Sequence, residues 1–442
     1  MVQQRQQMFC YSVVIGLVVA LASTFMACDF HAPDAFSPDT PEGINAILNM
    51  APVRSLSEGD RWTVYEAPGK IRVQHGYGCS WVDVAATTDY IGLRIHDMAE
   101  IPLSFADAGI IILNGWDVQY PNGDHHVQGL GSAIFNITET HTVDQFALHW
   151  DAGGVLSDKN GNDGYKWCYR YTLVFWKRNA INAVVPPQTD LSTTFVTPVD
   201  TGTTLLNLPG EFTDPSYGPR AVLPRGFGLS WAGTDHHVFQ VGFDLGTPII
   251  AGNAITWTSQ TIWRDISTDL AYDGAELVTI LSGQSVKMWQ PPTVLHLKGV
   301  PPDWVEEPTE LNLSPEKPLG CHKLTSEEHL EFYSVEKVPF DYAVPLLTGW
   351  DLSYVCDDHH VERVGVYLVE FEYVKNPNAP TGTLNYTIFS TLRDDSDNGH
   401  AAKYKVSILG LNALGGKSPK LTAQKVTPTL APYLVVPERQ AQ

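Results

Sequence analysis

The stretch Gly115-Trp116-Asp117-Val118-Gln119-Tyr120-Pro121-Asn122-Gly123-Asp124-His125-His126-Val127 recurs twice more in this chain without a gap. The second copy is Gly226-Phe227-Gly228-Leu229-Ser230-Trp231-Ala232-Gly233-Thr234-Asp235-His236-His237-Val238. The third is Gly349-Trp350-Asp351-Leu352-Ser353-Tyr354-Val355-Cys356-Asp357-Asp358-His359-His360-Val361. The shared pattern is G-[WF]-x-[VL]-x-[YW]-x-x-x-D-H-H-V. It runs on as V-x-x-[LV]-G to Gly131, Gly242 and Gly365. The copies start at 115, 226 and 349, spacings of 111 and 123 residues. That is the size of a small domain rather than of a solenoid repeat.

Each copy alternates in a period of two. Trp116, Val118 and Tyr120 interleave with Asp117 and Gln119, and Phe227, Leu229 and Trp231 with Gly228 and Ser230. Trp350, Leu352 and Tyr354 do the same with Asp351 and Ser353. Such alternation predicts a half-buried strand. A short polar turn and a second strand follow, which together read as a β-hairpin. Two more strands are expected downstream in each copy, at 145–150 and 167–176, at 254–259 and 275–281, and at 383–390 and 402–411. An acidic connector separates the two, at 158–164, 265–274 and 394–399. No long segment has a helical period, save a short helix expected near 44–50. The fold class expected is therefore all-β, as three tandem small antiparallel β-sandwich modules. Their expected bounds are 61–180, 190–290 and 318–412, with a linker at 29–60 and a tail at 413–442.

The composition suits a globular β-protein: 442 residues, 43% hydrophobic, 17% charged, with 36 Gly and 30 Pro. The formal charge of −21 repels phosphate backbones, so nucleic acid is excluded as a main partner. Arg5 and an apolar run from Met8 to Ala27 precede Cys28 and a polar, Pro-rich stretch. This resembles a bacterial lipoprotein signal over residues 1–28, with Cys28 as the lipidated residue. A plain secretory signal or a retained anchor are the alternatives, and all three export the folded part. In that setting Cys79, Cys168, Cys321 and Cys356 are expected to form disulfides. Cys79–Cys168 with Cys321–Cys356 is the preferred pairing, because each bridge then stays within one module.

Three groups of residues are candidates for chemistry. In an extended strand neighbouring side chains face opposite ways, so each triplet places its Asp and second His on one side: Asp124 with His126, Asp235 with His237, Asp358 with His360. The first His faces the other side alone. One triplet is too few ligands for a metal, and a site would need partners from another module. The preferred reading gives the Asp a turn hydrogen bond and packs one His at the strand start; a ligand-binding role for these six residues, as rim contacts, is the first alternative and a metal the second. The connector Asp158-Lys159-Asn160-Gly161-Asn162-Asp163-Gly164 resembles a calcium loop with its Gly one place late. A solvated loop is preferred there, with calcium as the alternative. The third group is Trp263-Arg264-Asp265, matched in copy three by Arg393 and Asp394. An indole beside an ion pair can stack on a pyranose and bond its hydroxyls.

The order of these segments resembles the H-type lectin domain. Trp116-Asp117-Val118 and Trp350-Asp351-Leu352 match that family's strand end, and Thr261-Ile262-Trp263-Arg264-Asp265-Ile266-Ser267 its later segment. His126, His237 and His360 stand where the family has Arg, and copy one lacks the Trp-Arg-Asp cluster. The resemblance implies a small sandwich and, since family members trimerise with sugar sites at the junctions, an intrachain pseudo-trimer. It also implies a non-enzymatic, cell-envelope protein that binds carbohydrate or another surface ligand. No catalytic signature is present. A structural or adhesion repeat protein is the alternative, and a metal-dependent enzyme or calcium-binding protein the third.

Overall fold

The computed structural model describes residues 58–82, 92–121, 123–158, 163–185, 191–196, 199–207, 219–231, 235–246, 248–251, 254–266, 272–289, 330–354, 357–396 and 399–414. All regular structure among them is β. The first copy contributes β1 (Glu58–Ala67), β2 (Ile71–Val82), β3 (Gly92–Pro102), β4 (Ala108–Gln119), β5 (Gly129–His141), β6 (Gln145–Ser157) and β7 (Tyr165–Trp176). The second contributes β8 (Leu191–Val196), β9 (Val199–Asn207), β10 (Arg220–Trp231), β11 (Gln240–Leu245), β12 (Ile249–Ala251), β13 (Ala254–Arg264), β14 (Tyr272–Ser282) and β15 (Val286–Trp289). The third contributes β16 (Leu330–Val338), β17 (Tyr342–Tyr354), β18 (Arg363–Lys375), β19 (Gly382–Arg393) and β20 (His400–Leu411). The apolar leader with Cys28, the helix near 44–50, the Cys321–Cys356 pair, the linker at 291–317 and all but the start of the tail lie outside the described residues.

The strands form three antiparallel sheets, and each draws on two copies. Their orders are β1-β2-β7-β4-β18-β19-β16, β3-β6-β5-β10-β14-β8 and β12-β13-β11-β17-β20-β15, with β9 also pairing β13. The three stamped strands β4, β10 and β17 play one role. Each pairs on one edge with a strand of its own copy, β7, β14 or β20. Each pairs on the other edge with the post-triplet strand of a different copy, β18, β5 or β11. The expected hairpin is thus absent. Both edges of the stamped strand are already taken, so the polar turn carries the chain into another sheet.

The register is the same at all three junctions. Gly365 sits opposite Asp117, Gly131 opposite Gly228 and Gly242 opposite Asp351. At the junction of copies one and three this register requires a glycine. A Cβ on Gly365 would stand 2.8 Å from the Asp117 Cα and the Trp116 carbonyl oxygen. The leading glycine answers a second constraint. The own-copy ladder slips by one residue just before it, between Leu113 and Gly115, Pro224 and Gly226, and Leu347 and Gly349. A bulge of this kind re-aims the strand. At Gly115 φ is +145°, and a Cβ would collide with Tyr367.

The stamped strands are buried on both faces, not one. The polar members of the alternation therefore need internal partners. Arg363 Nε donates to Asp117 Oδ1 at 3.0 Å, Gln119 Nε2 to Glu362 Oε1 at 3.3 Å, and Gln240 Nε2 to Asp351 Oδ1 at 3.0 Å. All three bonds cross between copies. The bulged Asn114 does likewise. Its Nδ2 donates to Thr172 Oγ1 and to the Pro345 carbonyl, and its Oδ1 accepts from the Leu347 N–H.

One continuous apolar core runs through all three copies. Near its centre Trp116, Phe227 and Trp350 meet, with ring centroids 4.9, 5.2 and 5.2 Å apart. A disulfide joins Cys79 and Cys168, registered partners on β2 and β7, as the preferred pairing has it.

Candidate functional site

The three triplets converge. The backbones of their first histidines and valines close a ring of bridges, His125 with Val361, His236 with Val127 and His359 with Val238. Each bridge joins two different copies, so every triplet is bonded to both others. The ring brings the second histidines face to edge. The His126, His237 and His360 rings have centroids 4.5 to 4.6 Å apart. One nitrogen from each falls within 4.8 Å of the other two.

Behind each ring stands the aspartate of another copy. Nδ1 of His126 faces Asp235 at 3.7 Å, that of His237 faces Asp358 at 3.4 Å, and that of His360 faces Asp124 at 3.3 Å. The carboxylates are anchored in turn. Asp358 Oδ2 accepts from the Ile266 N–H and Asp124 Oδ2 from the Asp395 N–H. A carboxylate on Nδ1 places the proton there and leaves Nε2 as the basic nitrogen. The three imidazole side chains are 39 to 41% exposed, so the cluster is open to solvent. Burial, and then the neighbouring His360 and His237, push the His126 pKa below its ordinary value, while Asp235 opposes the shift.

The first histidines face away, as the alternation requires. They pack on the aromatic ring five residues earlier, His125 on Tyr120, His236 on Trp231 and His359 on Tyr354. Each also meets a connector carboxylate, Asp163 at 3.3 Å, Asp265 at 3.5 Å and Asp394 at 3.1 Å. No protein-family model, no curated protein and no solved structure matches this chain.

The sugar-stacking candidates stand elsewhere and do different work. Trp263 is fully buried, stacked on Trp231 with centroids 4.1 Å apart, so neither of its faces is open to a pyranose. Arg264 lies over Phe239 and donates through Nε to Gln240 Oε1 at 3.2 Å. Arg393 bonds Glu362 at 2.8 Å. Asp265 and Asp394 are buried against the first histidines. These five residues brace the rosette from behind.

The sequence assigned no metal to the triplets because one triplet is too few ligands. The sequence left the convergence to the pseudo-trimer that the resemblance implies; the register at the junctions, Gly365 opposite Asp117, Gly131 opposite Gly228 and Gly242 opposite Asp351, sets each triplet against the next. The sequence names Asp163 as a connector residue but does not place it beside His125, a contact made within copy one. Of the calcium-like loop, residues 159–162 lie outside the described residues.

Proposed function

We propose that the chain is an intrachain pseudo-trimer of three lectin-like sandwich modules, and that it binds a zinc-class divalent cation on the axis where its triplets meet. The observation that carries this reading is the carboxylate behind each of three convergent imidazoles. Three imidazoles suit zinc and related ions, and a carboxylate on the second ring nitrogen is the usual outer partner of such ligands. Ligation at 2.0–2.1 Å in a tetrahedral set needs nitrogens about 3.3 Å apart. The half-exposed rings can close that gap by small side-chain rotations. With three protein ligands a fourth position faces solvent, open to a ligand from outside.

Carbohydrate binding is the second reading, and the cyclic exchange of strands between copies favours it. The resemblance to H-type lectins implies sugar sites at the junctions between such modules. The setting belongs to the same proposal: export by residues 1–28, a lipid anchor at Cys28 and no catalysis.

Calorimetric titration of the full chain with zinc is expected to give one equivalent at the rosette, abolished in His237→Ala. Zinc binding unchanged in that variant would reject the axial site. A glycan screen with and without EDTA tests the second reading. Sugar binding that survives both EDTA and His237→Ala puts the glycan away from the rosette.

A further inference from the structure

A second group of candidate ligands lies beside the rosette, in copy one alone among the described residues. Where β6, β13 and β19 end, each copy places a buried aspartate: Asp158, Asp265 and Asp394. In copies two and three that aspartate meets the first histidine of the triplet. Copy one adds another carboxylate. His125 Nδ1 faces Asp163 Oδ2 at 3.3 Å, and Asp158 stays close. One nitrogen of His125 and one oxygen from each of Asp158 and Asp163 all fall within 4.8 Å of one another.

Tyr120 supplies an independent observation. Its ring packs on His125 with centroids 4.6 Å apart, and the residue is fully buried. Its hydroxyl has no hydrogen-bond partner among the described residues. The matching hydroxyl of copy three, on Tyr354, donates to the His360 carbonyl oxygen at 3.2 Å. An unmet buried hydroxyl is costly and asks for an occupant.

We propose that His125, Asp158 and Asp163, with the Tyr120 hydroxyl behind them, form a second divalent-cation site in copy one. Two carboxylates balance a doubly charged ion. The mixed oxygen and nitrogen donors suit manganese, since calcium and magnesium favour oxygen alone and the tris-imidazole rosette is the better zinc site. This site does not depend on the axial one, because it shares no ligand with it.

The test is manganese titration of the EDTA-stripped and dialysed full chain, with free Mn2+ read by electron paramagnetic resonance. One bound equivalent is expected, retained in His237→Ala, weakened at least tenfold in Asp163→Asn and several-fold in Tyr120→Phe. The Asp163 side chain is 31% exposed, so its substitution leaves the core alone. Tyr120→Phe deletes one atom and reads the same site by a second route. No bound manganese in the wild type overturns the proposal. So does manganese binding that is lost in His237→Ala and kept in Asp163→Asn, an outcome that would assign the ion to the rosette instead.

Discussion

Nδ1 of His360 faces Oδ1 of Asp124 at 3.3 Å, although 236 residues of chain separate the two. The contact is one of three that run in a circle, each copy orienting a histidine of another. If the rosette holds zinc, the aspartate sets the tautomer and basicity of its ligand. Asp124→Asn keeps the shape and removes the charge. Zinc affinity is expected to fall about 10- to 100-fold, the usual loss when such an outer partner is changed. Competition with a chromophoric chelator measures it, and an unchanged dissociation constant would refute the orienting role.

His75 makes stability depend on pH. Its Nε2 donates to the Leu368 carbonyl at 3.0 Å, and its Nδ1 lies 3.0 Å from Thr172 Oγ1. Burial first, and then the charge of Arg170, lower its pKa to about 3. The unfolded chain takes up a proton near 6.5. Between these values only the unfolded state is protonated, so stability is full above about pH 6.5 and falls as pH drops toward 3. The expected slope is about 1.4 kcal/mol per pH unit. Urea melts from pH 7 to 4 should show a shallower loss in His75→Gln. Parallel profiles for the two proteins would count against the assignment.

Gly365→Val tests the junction between copies one and three. Its Cβ would stand 2.8 Å from the Asp117 backbone, and neither strand can yield without breaking the ladder. A loss of roughly 1–3 kcal/mol or more is expected, as for overpacked cores. Gly69, whose added Cβ would meet nothing within 4 Å, does not serve as a control, because its φ is +67°. Thermal melting of Gly365→Val against Gly365→Ala gives the comparison. Equal melting temperatures for both variants and the wild type would mean that the junction is looser than described.

Phe227→Ala opens the centre of the aromatic trio. The ring is 2% exposed and touches both Trp116 and Trp350. A cost of about 3–5 kcal/mol is expected from lost transfer energy and the cavity left behind. Chemical denaturation supplies the number, and a cost below about 1 kcal/mol would show that the trio is not a shared core.

Removing the Cys79–Cys168 bridge frees a loop of 89 residues in the unfolded chain. A double Cys79→Ala, Cys168→Ala variant is expected to lose about 2–5 kcal/mol. The midpoint in denaturant should drop and the slope rise, because the freed loop lets the unfolded chain expand, and no drop would mean the bridge contributes nothing.

The strands themselves were legible. Alternation at Trp116-Asp117-Val118 and its two echoes predicted β4, β10 and β17, and the downstream strands appear where expected, each a few residues longer. Two local inferences failed for one reason. The hairpin did not form and the strands are buried on both faces, because their second edge and face belong to another copy. Alternation reports which side chains share a side, not what covers each side. Trp263 was read as a stacking surface because an aromatic at a strand end looks the same in sequence whether it meets a sugar or Trp231.

Repetition and alternation alone establish a β-protein built from one unit used three times, with two histidines of each triplet facing opposite ways. Periodicity acts within a few residues and needs no tertiary knowledge. Which copy supplies the carboxylate behind His126, and that one nitrogen of each of three imidazoles lies within 4.8 Å of the other two, was decided by strand pairing over more than a hundred residues of chain. Gly365 permits that pairing at one junction, since a Cβ there would stand 2.8 Å from the Asp117 Cα. The chemistry of the site exists only after the circle of copies has closed.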